Sequence, residues 1–107
     1  MNKLALALAG TLVLGAAGLA AQQPAAPTYK RDVPAKLLSQ TKVTEDSARN
    51  LALARVPGST VKGLELEREG GRLIWSFDLM VAGKPGIDEV NVDALTGKIV
   101  GVEHEGH

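Results

Sequence analysis

The sequence predicts a small α+β domain, with one main helix packed on a four-stranded antiparallel meander sheet in the order α-β-β-β-β. Apolar residues recur at helical spacing between residues 45 and 56. From Thr60 onward apolar residues alternate with polar ones, which is the period of half-buried strands. Glycine-containing turns separate four such runs, so neighbouring strands are expected to pair antiparallel as hairpins.

Residues 1–21 are predicted to be a secretory signal peptide. A basic start that contains Lys3 precedes an apolar run over residues 4–14, and small residues follow. The alternative is an uncleaved membrane anchor, because the uncharged run as a whole is just long enough to span. Its second half is alanine and glycine, and no basic cluster follows directly, so cleavage after Ala20 or Ala21 is favoured.

The protein is therefore expected to be exported, either periplasmic or secreted, with no stable membrane span after cleavage. The chain has no cysteine, which excludes a lipid anchor at the cleavage site and permits export without disulfides. Twelve Lys and Arg balance twelve Asp and Glu, and cleavage removes only Lys3 of these. A near-neutral chain without a basic stripe or a polybasic cluster does not fit binding to nucleic acid or to anionic lipid.

Residues 22–42 are predicted to be a linker that contains a short helix. Two prolines among alanine and glutamine indicate an extended, disordered start over residues 22–28. Asp32 and Pro34 then suit the first turn of a short helix in the stretch PAKLLSQ.

The main helix is predicted over residues 45–56, at the start of a domain that spans residues 43–104. Thr44 is a good N-cap, and two acidic residues directly after it favour the positive end of a helix. Pro57 and Gly58 end the helix, and its apolar face of alanine and leucine allows a close approach to a sheet.

Alternation assigns the side chains of the four strands to two faces. The inward set is apolar and consists of Leu64, Leu66, Leu73, Trp75, Phe77, Leu79, Val81, Val90, Val92, Val100 and Val102. The outward set includes Glu65, Glu67, Glu69, Ile74, Ser76, Asp78, Met80, Glu89 and Asn91. Gly70-Gly71 is predicted to be a tight hairpin turn. Residues 105–107 show no pattern and are expected to form a disordered tail.

The only tryptophan and the only phenylalanine, Trp75 and Phe77, lie on the more apolar face of the longest predicted strand. Burying both rings contributes roughly 3–6 kcal/mol, whereas a domain of this size has a net stability of about 5 kcal/mol. The pair is therefore predicted to be the centre of the core rather than a binding surface.

The ordered set of elements resembles the PepSY domain family over about residues 43–103. The motifs that carry the resemblance are the helix with Ala48, Leu51, Ala52 and Ala54, then Val56-Pro57-Gly58, Leu64-Glu65-Leu66-Glu67, Trp75-Ser76-Phe77-Asp78, Glu89-Val90-Asn91-Val92-Asp93-Ala94 and Thr96-Gly97-Lys98. The order of these motifs and of the turns between them makes the resemblance specific.

The resemblance implies a non-catalytic protein-binding module that inhibits or modulates a peptidase in the cell envelope. PepSY domains occur in propeptides of thermolysin-like zinc peptidases, in membrane proteins and sensors, and as exported stand-alone proteins. The family has no catalytic residues to transfer to this chain. A peptidase, or another envelope protein, would be met in trans, and an exposed sheet edge is one way to bind it.

The alternative is an envelope accessory domain without a peptidase partner, which binds a ligand or metal or self-associates. Glu103, His104, Glu105 and His107, with Asp88, Glu89 and Asp93 near them, have a weak metal-binding spacing. A frayed terminus lacks the supporting contacts of a metal site, so no metal ligand is assigned. Ile74 and Met80 form an outer apolar pair that residues 29–40 or a second copy would cover, and a homo-oligomer is one outcome.

No catalytic or cofactor-binding residue and no cofactor is predicted, and the chain is not expected to be an enzyme. Both histidines lie in the last four residues, and no serine stands in a nucleophile elbow. Asp78 is expected to have a raised pKa where it is partly buried, but a lone carboxylate does not make a mechanism.

Overall fold

The computed structural model describes residues 28–106. The predicted signal peptide, the start of the linker and His107 lie outside this range. The described chain forms helices α1 (Ala35–Leu38) and α2 (Glu45–Arg55) and strands β1 (Lys30–Asp32), β2 (Ser59–Glu69), β3 (Arg72–Val81), β4 (Ile87–Asp93) and β5 (Ile99–Glu105). One sheet holds the five strands in the order β1-β2-β3-β4-β5. The predicted α+β class is confirmed.

The predicted four-stranded antiparallel meander is wrong in the number and the direction of its strands. Strands β2 to β5 do pair antiparallel in sequence order. β1 adds parallel to β2, with Lys30 opposite Gly63 and Asp32 opposite Glu65, which makes the sheet mixed. The sequence carries no signal for β1, because its three residues are all charged and exposed and show no apolar alternation.

Two short helices, rather than one main helix alone, accompany the sheet. The Thr44 hydroxyl accepts a hydrogen bond from the amide of Ser47 at 3.1 Å, so α2 has the predicted N-cap. The helix ends at Arg55, one residue before the predicted end. α1 is a single turn that begins after Pro34, and Asp32 lies in β1 instead of capping this helix.

The core lies between α2 and one face of the sheet. Trp75 and Phe77 are both 0% exposed, which confirms that the aromatic pair belongs to the core. The indole Nε1 of Trp75 donates a hydrogen bond to the carbonyl oxygen of Val43 at 2.9 Å, so its polar atom is satisfied although buried. The other buried members of the cluster are Ala48, Ala52, Leu64, Leu66, Leu73, Leu79, Val90, Val92 and Ala94.

Val102 lies opposite the buried Val90 and so faces the predicted side of the sheet, but at the edge strand it stays 40% exposed. The predicted inward position of Val100, which is 37% exposed, is wrong. A register shift between Asn91 and Val92 brings Ile99 opposite Val92, and Ile99 packs against the core in place of Val100. β5 therefore ends the sheet with two partly exposed valines.

Residues 29–40 pack mainly on the helix side of the sheet. Tyr29, Val33 and Leu37 contact the core cluster, and the guanidinium of Arg31 donates through Nε to Glu45 Oε2 at 3.0 Å. The expectation that this segment covers the outer apolar pair is wrong for Met80, which stays 37% exposed.

Candidate protein-binding surface

The outer face of the sheet, opposite the helices, carries two rows of cross-strand neighbours at its centre. The first row runs through Lys30, Gly63, Asp78, Glu89 and Glu103. The second row runs through Asp32, Glu65, Ser76, Asn91 and Gly101. Directly opposite side chains in such a row lie about 5 Å apart, so these groups act on one another.

The outer face is acidic although the whole chain has no net charge. Nine of the twelve carboxylates project from it: Asp32, Glu65, Glu67, Glu69, Asp78, Glu89, Asp93, Glu103 and Glu105. The cations in register with them are Lys30 and Arg72. Arg31, Arg49 and Arg68 contact Glu45, Asp46 and Gln40 beside the helices. The charges of the described domain are therefore separated between its two sides.

An open cavity of about 330 Å³ lies in the outer face over Gly63. Its polar lining consists of Lys30, Asp32, Glu65, Ser76, Asp78, Glu89 and Glu105. The missing side chain of Gly63 provides the space, since a Cβ atom there would lie 3.5 Å from Asp78 Oδ2. The hydroxyl of Ser76 donates to Glu89 Oε2 at 3.0 Å and holds that carboxylate at the cavity wall.

Three carboxyl groups of the outer face have pKa values above their ordinary ones. Partial burial is the main cause for Asp78, and the charge of Glu105 raises its pKa further. Burial also raises the pKa of Glu89, against the lowering effect of the Ser76 hydrogen bond, and Asp78 adds to the rise. Burial is again the main cause of the raised pKa of Glu67, and the charges of neighbouring carboxylates raise it further. These three carboxyl groups therefore lose their protons less readily than isolated carboxyl groups do.

Asp93 lies on the same face and has a structural role. Its Oδ1 accepts hydrogen bonds from the amides of Leu95 at 2.8 Å and Thr96 at 3.1 Å. Arg72 Nη1 donates to its Oδ2 at 3.0 Å. The Leu95 amide is the main cause of a lowered pKa of Asp93, with Thr96 and Arg72 adding to it. The carboxylate therefore fixes the turn between β4 and β5.

Asn91 is a buried polar residue in the second row. It is only 8% exposed, and its Oδ1 has no hydrogen-bond partner among the described residues. Its Nδ2 lies over Gly101, where a Cβ atom would be 3.4 Å away. Unpaired buried acceptors are rare in folded proteins, so this amide is a candidate ligand-binding group.

The structure separates the residues that the sequence offered as metal ligands. Glu103 lies opposite Glu89 on the outer face. His104 Nδ1 instead lies 2.5 Å from Asp88 Oδ1, in the next row of β5. Over residues 28–106, no three His, Asp or Glu side chains converge in a way that would hold a metal ion.

Asp78 is not the lone carboxylate that the sequence suggested, because Glu89 is its cross-strand neighbour and Glu105 is near it. Alternation along β4 predicts the outward position of Glu89. Combined with the antiparallel pairing of β3 and β4, it is the signal that could have placed Glu89 beside Asp78. Gly63 gives no such signal, since a glycine inside a strand does not by itself indicate a cavity.

The two edges of the sheet differ in how much they are covered. β1 pairs with only three residues of β2, from Gly63 to Glu65. On the other side, no described strand pairs with the far edge of β5. β5 therefore offers unpaired backbone groups together with exposed Val100 and Val102.

Comparison with known proteins identifies a family. The family model described as PepSY, the peptidase propeptide and YPEB domain, matches residues 42–103. No curated protein and no solved structure matches the chain significantly. None of the helices between residues 28 and 106 has the length and apolar character needed to span a bilayer. PepSY domains are generally non-catalytic and resemble propeptides or inhibitors. Because the match covers more than half of the chain, the protein belongs to the PepSY domain family.

Proposed function

We propose that the protein is an exported, non-catalytic module that binds an extracytoplasmic peptidase in trans and lowers or modulates its activity. The observation that carries this proposal is the match to a family described by its occurrence in peptidase propeptides. The order of features in residues 1–21 supports export, since a basic start, an apolar run and small residues follow one another.

The contacts of the described residues favour binding over catalysis. The hydroxyls of Ser39 and Ser59 donate to backbone carbonyls, and that of Ser76 donates to Glu89. Within residues 28–106 no serine hydroxyl is hydrogen-bonded to His104, which pairs with Asp88 instead. A nucleophile and a base within hydrogen-bond reach are the usual mark of covalent catalysis.

The open edge of β5 is the surface proposed to contact the peptidase. A peptidase cleft binds extended chains, and an unpaired strand supplies the backbone groups for such binding. Val100 and Val102 add apolar side chains on that edge. The opposite edge is less suited, because β1 covers its middle and Glu67 and Glu69 follow directly.

The test measures peptidase rates with the chain from Gln22 onward. A thermolysin-like zinc peptidase from the extracytoplasmic fraction of the source is assayed on a fluorogenic peptide at increasing concentrations of the domain. We expect saturable slowing while the domain stays uncleaved. Val102→Lys places a charge on the β5 edge and is expected to weaken inhibition, whereas Leu38→Lys changes an equally exposed residue on α1 and serves as the control.

The outcomes distinguish the proposed inhibitor function from the proposed contact surface on β5. Inhibition that survives Val102→Lys unchanged would remove the β5 edge from the proposal and leave the inhibitor function. If no extracytoplasmic peptidase of the source is slowed or bound, the proposed function is wrong.

A further inference from the structure

We propose that the outer face binds a basic segment of another protein, with a lysine or arginine side chain of that segment seated in the cavity over Gly63. The inference goes beyond the peptidase proposal, because it rests on the chemistry of this face and holds whether or not the partner is a peptidase.

The cavity has the chemistry of a site for a cationic side chain. Five carboxylates line it against one cation, Lys30. Asp78 and Glu89 are direct cross-strand neighbours, so one ammonium or guanidinium group can reach both. The carboxylates already repel one another, since neighbouring charges contribute to the raised pKa of each of these two groups. A bound cation relieves that repulsion.

Asn91 points independently to a ligand in the same rows. Its side chain is more than nine-tenths buried on the outer face and lies beside the cavity, opposite Ser76 of the cavity wall. Its Oδ1 has no hydrogen-bond donor among the described residues. Lysine and arginine head groups carry hydrogen-bond donors and no acceptors, so they complement the Asn91 oxygen and the carboxylates, which accept.

The distribution of charge indicates a polypeptide segment rather than a metal ion. The carboxylates of the outer face spread along two rows and several strands, and no three described His, Asp or Glu side chains converge on one point. A complementary ligand must therefore carry several separated cations. A basic segment meets this requirement, because successive side chains of an extended chain are spaced along its length.

Neither this chain's own N-terminal residues nor a second copy fits the outer face as well. Residues 1–27 contain one cation, Lys3. On the helix side, Arg31 and Arg49 already pair with Glu45 and Asp46. Six exposed cations of the described residues form no ion pair there, but they belong to separate helices, strands and turns: Lys36, Lys42, Arg55, Lys62, Lys84 and Lys98. An extended basic segment presents its cations one after another along its length, which favours a foreign basic segment over a second copy.

The test uses three synthetic peptides of equal length as probes for the chain from Gln22 onward. One alternates glycine and arginine, one replaces each arginine by neutral citrulline, and one replaces it by glutamate. Binding is measured by calorimetry and by backbone amide shifts in NMR spectra at low and at physiological salt. We expect only the arginine peptide to bind, with shifts centred on Gly63, Ser76 and Asp78 and with weaker binding at higher salt.

Charge variants distinguish the cavity from the general charge of the molecule. Asp78→Asn with Glu89→Gln removes two charges from the cavity and is expected to weaken arginine-peptide binding about tenfold. Asp46→Asn with Asp88→Asn removes two charges from the helix side of the sheet and is the matched control, with an expected change below about twofold. Equal losses in the two double variants would overturn the proposal.

A shape variant tests the cavity without changing any charge. Gly63→Ala adds a methyl group to the cavity floor, and its Cβ meets Asp78 Oδ2 at an ordinary contact distance of 3.5 Å. We expect binding to weaken by at least about threefold. Met80→Ala changes an exposed side chain of the same face outside the cavity lining and is expected to leave binding unchanged. Circular dichroism checks that both variants are folded.

Three further results would overturn the inference. If the citrulline peptide bound as tightly as the arginine peptide, the positive charge would not be what the site recognises. Amide shifts centred on α2 or β5 would place the site elsewhere. Self-association that the outer-face charge variants abolish would identify a second copy as the occupant. Loss of peptidase inhibition alone leaves the inference standing, because the peptide measurement contains no peptidase.

Discussion

The two faces of the sheet are built from the same strands and have opposite character. On β3, Trp75, Phe77 and Leu79 are fully buried against the helix side. The residues between them, Ser76 and Asp78, line an open acidic cavity on the outer face. One face is covered by α2 and by the segment that precedes it, whereas the other carries the open acidic cavity.

The difference indicates that the helix side stabilises the fold, and recognition is the role we propose for the outer face. Apolar burial on the helix side is the main source of folding free energy. Three carboxylates of the outer face, Glu67, Asp78 and Glu89, have raised pKa values, so their ionisation opposes folding at neutral pH. Ionisable groups that lower the stability of a fold are candidates for a functional role. The outer face, which holds such groups, is therefore the more informative face about function.

The largest effect is expected from the helix side. Phe77→Ala should lower the free energy of unfolding by about 3–5 kcal/mol, because it removes a fully buried ring. Urea unfolding followed by circular dichroism and by the fluorescence of Trp75 measures this. Met80→Ala, on the outer side of the same strand, should change the free energy by less than about 0.5 kcal/mol. Similar urea midpoints for the two variants would contradict the contrast between the faces.

Asp93 is the exception on the outer face, because its carboxylate stabilises the fold. Asp93→Ala should cost about 1–2 kcal/mol through the loss of the hydrogen bonds from Leu95 and Thr96. Since the pKa of Asp93 is lowered, its contribution is present above its ordinary value of 3.8 and is lost as the pH falls through the folded-state pKa. Urea titrations from pH 6 to pH 2 should show this loss in the natural chain and not in the variant.

Arg72→Gln separates the ion pair from the turn. It removes the contact to Asp93 and keeps both backbone hydrogen bonds. The guanidinium is half exposed, so the expected loss is below about 1 kcal/mol. A loss as large as that of Asp93→Ala would assign the effect to the ion pair instead of the turn.

Three other carboxylates of the outer face should act in the opposite direction. Glu67, Asp78 and Glu89 have raised pKa values, so the folded state binds their protons more tightly than the unfolded state does. Stability should therefore rise as the pH falls from 7 to about 5. The triple variant Glu67→Gln, Asp78→Asn and Glu89→Gln should melt at a higher temperature at pH 7. Its stability should also change much less with pH than that of the natural chain. A lower melting temperature for this variant would contradict the assignment.

The smallest effect is expected at the β1 edge. Arg31→Gln removes the ion pair that joins β1 to α2 through Glu45, and its side chain is 39% exposed. The free energy of global unfolding should fall by less than about 1 kcal/mol. Hydrogen exchange of the β1 amides should nevertheless accelerate, because β1 pairs with only three residues of β2. Exchange that stays unchanged would show that strand pairing alone holds β1.

The sequence predicts the helix side better than the outer face, for a physical reason. Alternation in β3 identifies Trp75 and Phe77 as core residues, because burial of large apolar side chains dominates the energetics. The same pattern misassigns Val100, since one register shift beside Asn91 changes which residues of β5 face the core.

The candidate site was harder to predict because it depends on long-range register. Outward glutamates can be read from each strand, but the row that joins Lys30, Gly63 and Asp78 requires the parallel pairing of β1. Three charged residues without apolar neighbours do not indicate a strand. The cavity over Gly63 is likewise an effect of neighbours and not of local pattern.

The separation of charge between the two sides makes this nearly neutral domain an electric dipole. Such a molecule gains little energy from approaching a charged surface, yet it rotates in the field of that surface before contact. The torque acts only over about a Debye length of 8–10 Å at physiological salt. The domain would therefore approach the proposed basic segment already oriented, outer face first, without adhering indiscriminately to other charged polymers.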